Sequence, residues 1–314
     1  MRKEMFSVGE LTVDVIRGGG LDMFTKKFYV DPVNGSDGNP GTSLTNAKKT
    51  LAAGEDLLTA NKNEALLLLP GASYHGLTST FTWDKNYTHL IGLAGPGVYG
   101  GRCRIYDTAA FATILFSITS LGGIFKGIHW QRDFDSALGV QNVTLGASAS
   151  YNYFEDCQFD APIMQSLGAA AYRNLTLTSG ARSNTFRRCT IGQWNQLAAS
   201  TTGKQIYIPG NSVGTHFMDC VVMWYGNGAT IVPIEITDLV DLNCYVLFNR
   251  CQFLGLGTAV NALCNDPTNG KVIFMDCKSI GVAEYAAGTV ANVWVANGTT
   301  STENGGKCVV ASAS

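Results

Sequence analysis

Charge is scarce in this chain. Asp, Glu, Lys and Arg make up 15% of its 314 residues, and the net charge is −2. Nucleic-acid recognition needs a basic face, so no nucleic-acid partner is expected. The four histidines are scattered, and the nine cysteines show neither CxxC pairs nor Cys/His zinc spacings. No metal and no cofactor is therefore expected. Glu4, Glu10 and Asp14 occupy the stretch where a secretion signal would have its apolar centre, so no signal is read there. The most apolar stretch, residues 109–128, is interrupted by Thr, Ser and a Gly pair and predicts buried strands without membrane insertion. Helical periodicity is confined to residues 47–60.

What the chain has is a repeat. A Phe is followed three residues later by a Cys five times: Phe154 and Cys157, Phe186 and Cys189, Phe217 and Cys220, Phe248 and Cys251, Phe274 and Cys277. Successive Phe residues are 32, 31, 31 and 26 positions apart, a period that marks a stacked-repeat architecture. Upstream lie alternating apolar pairs, Val143 and Leu145, Leu175 and Leu177, Ile206 and Ile208, each ending nine residues before its Phe. Alternation predicts strands, and the polar fillers between them predict turns. Helical repeats are excluded, and a parallel β-helix remains. Phe125 and Ile128 fit the same slots one rung earlier.

Two residues three apart cannot both face inward along one straight strand. A corner between them resolves this, with Phe and Cys inward and Asp156, Arg188, Asp219, Arg250 and Asp276 at the bend. Rungs lie about 4.8 Å apart, so the alternating signs predict an outward ladder of cross-rung pairs worth roughly 0.2–1 kcal/mol each. Two residues past each Cys stand Phe159, Ile191, Val222, Phe253 and Ser279, again inward. The cysteines are expected as buried, reduced packing residues. On that view Cys220→Ser buries a hydroxyl without a partner, at a cost of roughly 1–3 kcal/mol.

Residues 1–27 read as an arm with a Gly18, Gly19, Gly20 hinge, residues 28–75 as a capping strand, loop and helix, and residues 76–314 as the β-helix. The capping segment carries Val30, Asp31, Asn34, Gly35, Ser36, Asp37, Pro40, Gly41 and Thr42, then Leu69, Pro70, Gly71 and Tyr74. It resembles the opening of right-handed parallel β-helix proteins of the pectate-lyase-like superfamily. The resemblance covers about fifty residues and implies an all-β solenoid with a helix closing one end. Polysaccharide lyases, glycosidases, epimerases and phage virion proteins share that opening, so it leaves activity undecided.

Other motifs are weaker. Gly95, Gly97 and Gly100 match GxGxxG, but strand sequence follows where a nucleotide site needs a helix. Asp31 and Asp37 suggest a calcium loop, yet Val33 and Gly35 fill ligand positions, which favours a capping turn. Catalytic carboxylate pairs could come from Glu155 with Asp156, Asp133 with Asp135, or Glu235, Asp238 and Asp241, and a lyase could use Arg187 beside Glu155. None exceeds what outward strand positions offer by default. Trp194, Trp224 and Tyr225 could form a glycan platform, a subunit contact or ordinary packing.

The expected protein is a phage structural or adhesive component, as tail spike, fibre or capsid decoration, assembled in the host cytoplasm. A homotrimer, other virion proteins and a host surface glycan are the expected partners. The alternative is a polysaccharide lyase or glycoside hydrolase of the same superfamily. This step is fold analogy.

Overall fold

The computed structural model describes residues 23–71, 73–94, 103–109, 114–132, 141–160, 172–192, 197–198, 203–226, 232–239, 244–257, 259–265, 267–286 and 292–296. They form a right-handed parallel β-helix of three sheets with ten, nine and eight strands. In the repeat region the chain passes from sheet A through sheet B to sheet C and back. One full rung is Tyr153–Glu155 in A, Gln158–Asp160 in B and Arg173–Leu177 in C. Every strand pairing between rungs is parallel, and Phe154 faces Phe186, which faces Phe217, Phe248 and Phe274 in turn.

The interior is built from columns. Neighbouring rings from Phe125 to Phe274 stack face to face, with centroids 4.5–5.0 Å apart and tilts of 9–12°. The parallel register imposes that spacing, so a flat ring in one slot fits the same ring above it. Phe159, Ile191, Val222, Phe253 and Ser279 are also buried.

The corner residues Asp156, Arg188, Asp219, Arg250 and Asp276 all adopt left-handed backbone, with φ between 49° and 54°, as does Gly127 one rung earlier at 66°. One left-handed residue turns the chain sharply from sheet A into sheet B, which is why the inward Phe and inward Cys are three apart. A second left-handed column, at Tyr87, Gly122, Tyr151, Ser183 and Gly214, turns the chain into sheet A. Buried asparagines satisfy the backbone behind it. The Asn152 amide accepts from Gly123 N at 2.8 Å and donates to Ser120 O at 3.0 Å, and Asn184 accepts from Asn152 N at 3.0 Å.

The five column cysteines are buried thiols. Each thiol points at the carbonyl of the Phe in the preceding rung, at 3.4 Å for Cys157, Cys220, Cys251 and Cys277 and 3.7 Å for Cys189. Burial pushes the Cys220 thiol well above its ordinary pKa, so it stays protonated as a weak donor. This corrects the expectation for Cys220→Ser. The hydroxyl inherits the Phe186 carbonyl as acceptor, and the loss should be about 1 kcal/mol. Thermal unfolding checks it, and a loss above about 3 kcal/mol would show that the acceptor is not usable.

The helix is shorter than its sequence suggests. Residues 47–60 yield one α-helix, Leu51–Glu55, after a 3-10 turn at Leu44–Asn46. Asp37 takes the N–H groups of Lys49 and Thr50, both at 2.9 Å, and fixes them in loop geometry. Thr50 then caps the helix by accepting from Ala53 N. Gly54 lies so close to Val30 and Leu66 that a Cβ would stand 2.4 Å from the Val30 methyl. Asp31 likewise accepts from Val33 N and Asn34 N, which holds its carboxyl low against the opposing effect of burial. Both aspartates of the calcium-like loop therefore serve the backbone. Residues 1–22, 95–100 and 297–314 lie outside the described residues, and with them most of the arm, the glycine motif and the C-terminal segment.

Candidate functional site

The outer face of sheet A carries a charged network centred on Glu155, whose side chain is fully buried. Lys126 from the preceding rung reaches Glu155 Oε2 at 2.9 Å, and Arg188 from the following rung donates to Oε1. Arg188 also forks onto the neighbouring corner, with Nε to Asp156 Oδ1 at 2.9 Å and Nη2 to Oδ2 at 3.0 Å. Burial opposes the Arg188 charge, but Asp156 and Glu155 hold its pKa above the ordinary value. Two carboxylates thus share one guanidinium, with a lysine on the far side. A general acid needs a carboxyl free to pass a proton to a substrate, and both of these are engaged by the Arg188 guanidinium. Arg187 stands one rung above Glu155 in the same column.

The corner ladder resolves into two bidentate pairs. Arg188 binds Asp156, and Arg250 binds Asp219 through Nε at 2.7 Å and Nη2 at 3.0 Å. Hydrogen bonding from Arg250 lowers the Asp219 pKa. The first pair is largely buried, and the Arg250 side chain is 52% exposed. Of the third grouping, Glu235 meets Lys204 at 3.1 Å and Asp238 accepts from Asn269 at 3.1 Å. Asp133, Asp135, Asp241 and Trp194 lie outside the described residues.

Trp224 is a core side chain. Alternation along Val221–Gly226 sends Val222 and Trp224 inward, both fully buried, and leaves Tyr225 outside at 41% exposure. That removes Trp224 from any contact surface. The late rungs also expose Tyr245, Met275 and Trp294 on sheet A and Leu256 and Ile280 on sheet B, while Tyr74, Tyr87 and Tyr151 are exposed on earlier ones.

A second polar cluster, absent from the sequence reading, lies on the outer face of sheet B. His129 Nε2 meets Asp160 Oδ2 at 2.6 Å, and Gln158 Nε2 donates to the same oxygen at 2.8 Å. Gln131 is the register partner of Asp160 on the adjacent strand. Asn142 donates to the main-chain oxygens of Trp130 and Asp160. All five residues are buried, and Asp160 Oδ1 has no hydrogen-bond partner among the described residues. The repeat itself could have found this cluster. Counting on from each Phe places His129 and Gln158 in one outward column, with Asp160 in the next.

No protein-family model and no curated protein matches the chain. Solved structures do. A rhamnogalacturonan lyase is 15% identical with a TM-score of 0.59, over 88% of this chain and 74% of that one. Pectin methylesterase from Erwinia chrysanthemi is 12% identical with a TM-score of 0.60, over 88% of this chain and 90% of that one. The ORF18 protein of Geobacillus virus E2 is 12% identical with a TM-score of 0.50, over 96% of this chain and 64% of that one. At these identities the likeness is one of fold. The chain shares the parallel β-helix architecture of these structures, which include carbohydrate-active enzymes and a phage protein.

Proposed function

We propose that the chain is a structural or adhesive component of a phage particle, with its β-helix as a rigid rod and residues 1–27 as a docking arm. The observation that carries this reading is the state of Glu155. This candidate acid of the sequence is clamped between Lys126 and Arg188, as a bridge from rung to rung. The fold likeness to a Geobacillus virus protein over nearly the whole chain supports it. Other particle proteins and a host surface glycan are the partners this role implies.

The apolar residues of the late rungs suit contact with further copies of the chain, most simply in a trimer. Light scattering of the purified protein should then give about three times its 33.5 kDa, and a monomer would remove the trimer from the proposal. Antibodies raised against the purified chain should decorate phage particles released by cells that carry its gene. Label confined to unassembled protein would overturn the particle assignment.

A carbohydrate-active enzyme is the second reading. It is favoured by the His129 and Asp160 pair, with its unpartnered carboxylate oxygen, and by the fold likeness to a lyase and to pectin methylesterases.

A further inference from the structure

Residues 23–25 lie across the outer face of sheet A, and one histidine organises their attachment. Phe24 is buried there with Ala65, Leu67 and Ile91, and its ring packs 4.9 Å from that of His89. Asn63 Nδ2 donates to Met23 O at 2.7 Å, and Thr25 N donates to Asn63 O at 3.0 Å. Asn63 is itself held by His89, whose Nε2 lies 2.7 Å from Asn63 Oδ1. On the other side of the ring, Ile124 N donates to His89 Nδ1 at 3.0 Å. A backbone N–H can only donate, so Nδ1 must be unprotonated and the ring proton sits on Nε2, directed at Asn63.

We propose that His89 is an acid-sensitive latch: protonation of Nδ1 sets two donors against each other at Ile124, pushes the ring off that strand and so away from Asn63, and releases residues 23–25 from sheet A. Release would also uncover the apolar patch of Ala65, Leu67 and Ile91.

Charged groups nearby are engaged elsewhere. Glu64, on the strand beside His89, meets Lys26 at 3.7 Å and accepts from Thr59 N. Lys126, on the strand across, is bound to Glu155. Lys62 and Lys27 flank the attachment, and Tyr153 lies one strand beyond Ile124. Burial alone lowers the His89 pKa to about 4.

The sign follows from linkage. A released imidazole titrates near 6.5, so the released form takes up a proton below that pH while the latched form resists until about 4. Latching is at full strength above pH 6.5 and fades as pH falls towards 4. The opening constant should rise about 100-fold between pH 7 and pH 4.

Hydrogen exchange of the full chain, corrected for intrinsic rates, reads this directly. The amides of Thr25 and Ile124 should lose about 100-fold in protection from pH 7 to pH 4, while the Phe154 and Phe186 rungs keep theirs. His89→Gln should abolish the pH dependence, and His75→Gln should retain it. Flat protection in the wild type, or an unchanged pH response in His89→Gln, would overturn the proposal. Should His89→Gln fail to fold, NMR titration of the wild-type imidazole decides. A midpoint below about 5 with the proton on Nε2 supports the latch, and one near the ordinary value of about 6.5 refutes it.

Discussion

Replacing Arg188 by Ala should destabilise the β-helix by about 3–5 kcal/mol, far more than an ion pair at a protein surface is worth. Removing the guanidinium leaves the fully buried Glu155 carboxylate with Lys126 alone and strips Asp156 of both its bonds. A buried anion without its partner keeps the cost of leaving water and loses the compensation. Arg250→Ala is the internal control. It breaks the same bidentate geometry on a side chain that is half exposed, and should cost no more than about 1 kcal/mol. Denaturant titration of both variants separates the cases, and equal losses would mean that Glu155 is solvated.

The other large effect lies in the aromatic column. Phe217→Ala should cost about 3–5 kcal/mol, because the cavity is bounded by rings stacked above and below and cannot collapse easily. Phe186 and Phe248 sit 4.8 and 4.7 Å from Phe217, held by a register that the surrounding strands fix. Phe217→Leu keeps most of the volume and should lose markedly less. A Phe217→Ala loss below about 1 kcal/mol would show that neighbouring rungs close over the gap.

The sheet-A-to-B corner was legible because its constraints act on residue type. Phe and Cys at a separation of three demand a sharp bend, and the bend residues prove to share one left-handed conformation. The other corner column was not legible. Tyr87, Gly122, Tyr151, Ser183 and Gly214 have no type in common, since the turn constrains φ and the buried asparagines behind it supply the hydrogen bonds. The helix is shorter than the apolar spacing from 47 to 60 implies, because that spacing does not reveal that Asp37 holds two of the backbone N–H groups. Of the alternatives open for Trp224, ordinary packing holds, as strand alternation from Val222 implies.

At the candidate site, charge alternation led to the Asp156 and Arg188 pairing, but the burial of Glu155 depends on Lys126 and Arg188 closing over it from two rungs. The His129 and Asp160 pair is 31 residues apart in sequence and becomes visible only when the outward columns are aligned.

The central claim is that this β-helix is a scaffold in which Glu155 and Asp156 bridge neighbouring rungs. Incubating the purified protein with a panel of capsular, lipopolysaccharide and pectic glycans, and measuring released oligosaccharide and released methanol, tests it most directly. The account predicts neither product above a no-protein control. Reproducible product that disappears in Asp160→Asn or His129→Gln, with folding intact, would contradict it and establish the outer face of sheet B as an active site.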